Sequence, residues 1–210
     1  MKIGIIGAGN VGGTLGKGWA NKGHAVQFGV RKPSDSELTK LLAEAGKSAS
    51  VGTIAEAVQF GEIVVLAVPW PAAQETIRKA GNLSGKILFD CTNPLKPDLS
   101  GLEIGHTTSA AEQVASWADG ARVVKIFNTT GANNMENPRY PDGAATMLYC
   151  GDDVNAKSAA AQLATDLGFD AVDAGGLRIA RLLEPYAMLW IHLAYGQKMG
   201  RDIAFRLIRR

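Results

Sequence analysis

The stretch IIGAGNVG, Ile5 to Gly12, stands almost at the start of the chain and sets three glycines into eight residues. Glycine weakens the interior of a strand or a helix, so such a run serves some need for bare backbone. The flanks say which need. KIGII (Lys2 to Ile6) reads as a buried strand and NVGGTLGKGWANKG as a helix ending at Gly23. At GxGxxG spacing between a strand and a helix, Gly7 makes the tight turn, Gly9 lets the backbone approach a pyrophosphate, and Gly12 lets the helix pack closely on the strand. The free N–H groups of Asn10, Val11 and Gly12, with the helix dipole behind them, then face an anion. The stretch implies a bound dinucleotide.

The second strand, HAVQFGV, ends where dinucleotide sites usually carry an acidic residue for the ribose hydroxyls. This chain has Arg31 there, 19 residues beyond Gly12, and no acid precedes it in the strand. A carboxylate would repel a 2′-phosphate, whereas a guanidinium grips it through a bidentate charged hydrogen bond. Lys32 and Ser34 add donors. The expected cofactor is NADP(H).

Working outward, SELTKLLAEAG, TIAEAVQFG, a proline-containing segment and SAAEQVASWADG read as helices between the short strands SASVG, EIVVLAV, KILFD and ARVVKIF. Strands spaced by helices imply right-handed crossovers and an α/β, Rossmann-type, doubly wound and mostly parallel sheet. That places an NADP-binding domain over residues 1–127. NTTGANNMENPRYPDG, rich in Asn, Gly and Pro, reads as loop. A strand (Ala144 to Cys150), a helix (Val154 to Leu167), a strand (Asp170 to Ala174) and a long helix from Leu177 follow. Residues 128–210 are thus expected to form a small α/β extension carrying the acceptor side of the site and a dimer contact.

Composition narrows the function classes. With 210 residues, 46% hydrophobic and 20% charged, and a formal charge of +2, the chain is an ordinary globular protein. Its basic clusters are Arg31-Lys32 and Arg206, Arg209 and Arg210, too little for a nucleic-acid footprint. Cys91 and Cys150 share no metal-ligand spacing, and no metal is expected. The chain opens directly on a predicted strand, so no signal peptide is expected. The longest apolar stretch, Tyr186 to Tyr195, is half the length that spans a bilayer and contains His192. A cytoplasmic enzyme with thiol cysteines and no membrane partner is expected. Leu182 to Leu193 is apolar on nearly every face, which points to a second subunit against this helix and a twofold homodimer.

In an open parallel sheet, ligands lie beyond the carboxyl ends of the strands. Three ends converge near the nicotinamide half of a bound cofactor: LAVPW (Leu66 to Trp70), FDCTNPL (Phe89 to Leu95, with Asn93) and KIFNTTGAN (Lys125 to Asn133). An acid–base group is less legible. His24 reads as a satisfied loop histidine and His192 as packed in a helix; His106 is a candidate, and Asp90, Lys125 and Asp142 qualify by location only. If the acceptor is itself a redox ring, hydride transfer needs orientation more than a side-chain acid.

Taken together, GIIGAGNVGGTLGKGWANKGHAVQFGVR, VVLAVPW, TNPL, SAAEQVA, KIFNTTGA, CGDD and DAGGLRIARLLEP resemble the NADP oxidoreductases dependent on the deazaflavin coenzyme F420. They also resemble the related cytosolic NADPH-binding domain of membrane metalloreductases, which uses a flavin. The resemblance implies that Gly9 to Gly12 meet the pyrophosphate and Arg31 the 2′-phosphate. It places Val68, Pro69 and Trp70 on the ribose-nicotinamide side. Asn128, Thr129, Gly131 and Ala132 fall on the face shared with a second ring, F420 or FMN/FAD. Asn128 and Thr129 are the candidates for direct action on the reacting rings. Asn128 stands where the deazaflavin enzymes tend to carry histidine, which is closer to the metalloreductase pattern. No transmembrane haem domain follows within these residues, so a metalloreductase proper is not expected. The 6-phosphogluconate and β-hydroxyacid dehydrogenases also resemble the chain in the glycine loop, but the helix where they carry a lysine has Arg181 here, expected to pair with Glu184 at i+3. The implied activity is hydride transfer between NADP(H) and a deazaflavin or flavin. The alternatives are a dehydrogenase or imine reductase of a small molecule, or a non-catalytic NADPH sensor.

Overall fold

The computed structural model describes residues 1–33 and 36–210, with the side chain of Glu37 set aside; Ser34, one of the expected phosphate contacts, lies outside the described residues. Its first half alternates as the hydrophobic periods dictate: β1 (Lys2–Ile6), α1 (Asn10–Asn21), β2 (Ala25–Gly29), α2 (Ser36–Ala45), β3 (Ala49–Gly52), α3 (Ile54–Phe60), β4 (Ile63–Leu66), α4 (Trp70–Ala80), β5 (Ile87–Asp90), α5 (Ala110–Trp117) and β6 (Arg122–Lys125). These six strands are parallel in the order β3-β2-β1-β4-β5-β6. Strand order reverses between β1 and β4, and a crevice opens at such a switch point.

Alternate residues of each strand feed opposite faces, as a period of two requires. On β4, Ile63 and Val65 join the core beneath α1 with Leu15, Trp19 and Phe28. Val64 and Leu66 join the opposite core with Ile77, Val114 and Leu183. Local signals end the helices where they should. Thr53 caps α3 in a reciprocal capping box with Glu56, and Ser109 caps α5 by accepting from the Glu112 N–H.

The second half departs from the sequence reading in three places. The segment read as loop contains a short helix, α6 (Ala132–Glu136), and a two-stranded hairpin, β7 (Arg139–Tyr140) with β8 (Gly143–Ala144). Next, β9 (Thr146–Gly151) joins the main sheet antiparallel to β6, α7 (Val154–Asp166) packs on it, and β10 (Asp170–Asp173) pairs parallel with β9. One eight-stranded sheet therefore runs through both halves. Finally, the C-terminal helix α8 (Ala180–Ile191) widens into a looser turn at His192–Gly196, beyond which the chain returns over the sheet edge. There the Thr146 N–H donates to the Phe205 carbonyl at 3.0 Å and the Leu207 N–H to Thr146 Oγ1 at 2.9 Å. No helix among the described residues is long and apolar enough to cross a membrane.

Candidate functional site

At the crevice the glycine turn has the geometry its spacing promised. Gly7 sits at φ +102°, and a Cβ there would strike the Ala67 carbonyl. A Cβ on Gly12 would strike the Gly7 carbonyl, so α1 enters hard against β1. Gly9 differs, because a Cβ there would meet nothing within 4 Å, so open space lies over the turn. Gly9 is also the N-cap of α1 and no side chain caps that end. The first-turn N–H groups, unpaired by helix geometry, are left to a ligand. An uncapped twelve-residue helix beneath open space fits a pyrophosphate. Past β2, Arg31 and Lys32 are exposed.

Between the first turn of α1 and the segments that follow β5 and β6 lies a cleft of about 500 Å³. Of the expected residues, Asn10, Val11, Asn93, Asn128, Gly131 and Ala132 line it. Val68, Pro69, Trp70 and Thr129 are not among its lining residues. Val68 Cγ1 packs over the glycine turn, 3.1 Å from where a Gly7 Cβ would stand, and Trp70 stacks on Trp117 with centroids 5.4 Å apart. Thr129 is buried with its hydroxyl toward Met147 Sδ at 3.9 Å, and its neighbour Thr130 takes the cleft position. Sequence reasoning missed Thr14, Glu136, Trp190, Tyr195 and Arg201, and included Asn133 only within the stretch Lys125 to Asn133. Apart from Thr14, these come from α6, α8 and the segment after it, whose place no local signal reveals.

Asn128 is held where β6 runs out. Phe127 before it is buried at φ +60°, a left-handed conformation uncommon for a bulky residue and typical of sites that store strain. The Asn128 Nδ2 donates to Asn93 Oδ1 at 3.1 Å and to the Leu183 carbonyl at 3.2 Å, and Asn93 Nδ2 donates back to the Asn128 carbonyl at 2.8 Å. The two amides thus tie two strand ends and α8 together. Asn128 Oδ1 is buried and finds no donor among the described residues. A buried acceptor without a partner costs about 1–3 kcal/mol, so this unmet hydrogen bond is a strain held at a residue that lines the cleft.

Beneath the cleft is a fully buried ionic cluster. Lys125 Nζ donates to Asp90 Oδ2 at 2.9 Å and to the Thr92 carbonyl at 2.6 Å, and lies 2.9 Å from Glu184 Oε1, all three charged side chains having no exposure. Burial alone would lower the Lys125 pKa; the facing charges of Asp90 and Glu184 more than reverse this, so it stands above the ordinary lysine value. Glu184 also accepts the Ala110 and Ala111 N–H groups at 2.9 and 3.2 Å, closing the N-terminus of α5. The expected Arg181–Glu184 pair does not form. Inward packing of α8 turns Glu184 to Lys125, and Arg181 forks onto Glu112 at 2.9 and 2.7 Å. That bond chiefly, and the charge behind it, holds the Glu112 carboxyl below its usual range.

The other acid–base candidates fall away from the cleft. Asp90 and Lys125 are sealed in the cluster, and Asp142 is exposed between β7 and β8. His24 bonds Asp166 at 2.9 Å, and His106 lines a separate smaller hollow with Pro185 and Met188. His192 is exposed rather than packed, 3.2 Å from Gln197, because the helix has loosened there. Cys91 and Cys150 are buried free thiols, Cys150 pushed up to about 12 chiefly by burial, which leaves them unreactive.

Comparison with known proteins gives the family. Residues 2–94 match the family described as NADP oxidoreductase, coenzyme F420-dependent. The chain is 31% identical over 207 residues to the F420-dependent NADP reductase of Methanothermobacter marburgensis, with 92% of each chain covered. It is 32% identical over 187 residues to the metalloreductase STEAP3 of Rattus norvegicus, covering 87% of this chain but only 36% of that longer protein. Among solved structures, a candidate F420-dependent NADP-reductase from Arthrobacter sp. FB24 matches with a TM-score of 0.89 and 31% identity, both chains covered in full. With the glycine turn, the switch-point crevice and a likeness that runs end to end, this chain belongs to the family of coenzyme F420-dependent NADP oxidoreductases.

Proposed function

We propose that the protein passes hydride between NADP(H) and a deazaflavin or flavin ring seated in the cleft beside the glycine turn. The observation that carries this reading is what lines the cleft. Asn10, Asn93, Asn128 and Asn133 present amides, Leu95, Ala187, Ile191 and Trp190 present an apolar wall, and no histidine, lysine or cysteine is among them. Its ionisable groups are Glu136, tied to Lys17 at 2.8 Å, Tyr195 at the rim and Arg201. Reducing a carbonyl needs a placed proton donor, whereas a planar redox ring needs to be stacked and held. When bound, NADPH and the second ring supply the redox chemistry between them. The chain's own residues hold the pyrophosphate over Gly9, grip the 2′-phosphate with Arg31, and align the rings through the Asn93–Asn128 pair.

The experiment is NADPH oxidation with a panel of deazaflavin, FMN, FAD, ferric chelate and quinone, on wild type and Asn128→Leu. Turnover is expected with the tricyclic rings, and with ferric chelate only when a ring is added. Asn128→Leu removes the bonds to Asn93 and Leu183 and should slow transfer on the order of a hundredfold through misplacement, leaving NADPH affinity nearly unchanged. Turnover of a ketone or imine without any added ring would defeat the proposal.

The active unit is proposed to be a twofold dimer through α8. Leu182 and Leu189 lie two turns apart on one stripe, 65% and 47% exposed, with Tyr195 at 53% beyond them. A helix stripe this apolar is poorly suited to water. Sedimentation at micromolar concentration should give twice the chain mass; a 22.1 kDa species would end the idea.

A further inference from the structure

Beyond α8 the chain makes a fixed turn that brings Arg201 into the cleft lining. The Met199 and Gly200 N–H groups donate to the Leu193 and Ala194 carbonyls, both at 3.2 Å, with Lys198 and Gly200 at positive φ. Next, Asn133 Nδ2 donates to the Arg201 carbonyl at 2.8 Å and to Asp202 Oδ1 at 2.9 Å. Trp190 Nε1 and Asn134 Nδ2 each donate to the Ile203 carbonyl at 2.7 Å, and Phe205 packs on Tyr186 with centroids 4.5 Å apart. The backbone on both sides of Arg201 is therefore pinned. The side chain is exposed, lines the cleft and has no ion pair among the described residues. Glu136 of the cleft shares the Lys17 ammonium with Glu44, at 2.8 and 3.3 Å, and Arg201 is the one cationic side chain in the cleft lining among those residues.

We propose that Arg201 is a specificity-determining residue that receives a phosphate on the side chain of the hydride acceptor, so that the protein prefers phosphorylated ring acceptors to uncharged ones. This rests on the reading of the cleft as the seat of a tricyclic acceptor. An arginine suits the task because its planar fork pairs bidentately with phosphate oxygens. A second phosphate source is NADP(H) itself, and the experiment's arms separate the two. The first turn of α1, with Asn10, Val11 and Thr14, lines the same cleft as Arg201, and α6, which holds Arg201, is tied to α1 through Lys17 and Glu136, so the titrations measure both nucleotides.

The test is a fluorescence titration of FMN and of riboflavin against the full chain with saturating NADP⁺, for wild type, Arg201→Ala and Arg201→Lys, at low fixed ionic strength because the site is exposed. NADP⁺ affinity is measured separately for each. Wild type should bind FMN on the order of tenfold more tightly than riboflavin. Arg201→Ala should abolish that preference by weakening FMN alone, Arg201→Lys should keep part of it, and NADP⁺ affinity should stay unchanged. The deazaflavin ring with and without its phosphodiester tail should show the same pattern. Equal binding of the paired acceptors by wild type, or equal weakening of both by Arg201→Ala, overturns the assignment while leaving the ring acceptor intact. Loss of NADP⁺ affinity instead moves Arg201 to the dinucleotide. If no ring binds, the functional reading fails and this inference with it.

Discussion

Lys125→Met should lower the free energy of unfolding at pH 7 by about 3–5 kcal/mol, the usual result of stripping one partner from a buried ionic cluster. Asp90 and Glu184 would then face one another without a cation, away from water. Reversible urea unfolding measures it. Should the single variant not fold, Lys125→Met combined with Asp90→Asn and Glu184→Gln removes the uncompensated charge and should recover most of the stability; a single variant within about 1 kcal/mol of wild type would contradict the argument. The pH dependence has a definite sign. The Lys125 pKa is raised in the folded state, so its contribution is complete below the ordinary lysine value of 10.5 and is lost as pH climbs through the higher folded value. Wild-type stability should therefore show no loss from this group at neutral pH and a loss only in strong alkali. The same cluster holds the Thr92 carbonyl beside Asn93, and Glu184 adjoins Leu183, whose carbonyl holds Asn128. Damage here should loosen the acceptor wall before the glycine turn.

Arg31→Ala should weaken NADPH binding about ten- to a hundredfold, the range expected when a charged hydrogen bond to a phosphate is removed. NADH, which lacks that phosphate, should bind almost as before. Lys32→Ala should act in the same direction but less, since an ammonium is a point charge where guanidinium is a fork. Titrating both nucleotides at fixed ionic strength decides it, because both side chains are exposed and salt screens them. A wild type that prefers NADH, or an Arg31→Ala that loses both nucleotides equally, would refute the role of Arg31 and leave the dinucleotide turn standing.

These two predictions come from different levels of the molecule. Arg31 was legible in the sequence because the turn, the helix and the following strand are contiguous, so a spacing of 19 residues from Gly12 is also a position in space. The same locality made β1 to β6 and their helices readable. A strand buried on both faces writes a β-branched run, a helix writes its 3.6-residue period, and caps such as Thr53 mark where each begins.

The cluster and the cleft depended on the tertiary structure. Lys125 meets Asp90 across 35 positions, and Glu184 reaches Ala110 across 74. Nothing local distinguishes a lysine at a strand end that will be sealed from one that will be solvated. Arg181 and Glu184 looked like a pair because the helix places them on one face; packing against α5 and β6 gave each a better partner. Asn128 was found as a residue type, but its orientation follows from the unusual backbone of Phe127 and from bonds to Asn93 and α8. Arg201, in a segment without periodicity, acquires its place only when Asn133, Asn134 and Trp190 fix the returning chain. By itself, then, the sequence determined the dinucleotide half, where function is written in a contiguous turn. The cleft was decided by long-range packing, because its walls come from segments that share no local pattern and meet only when the sheet is complete.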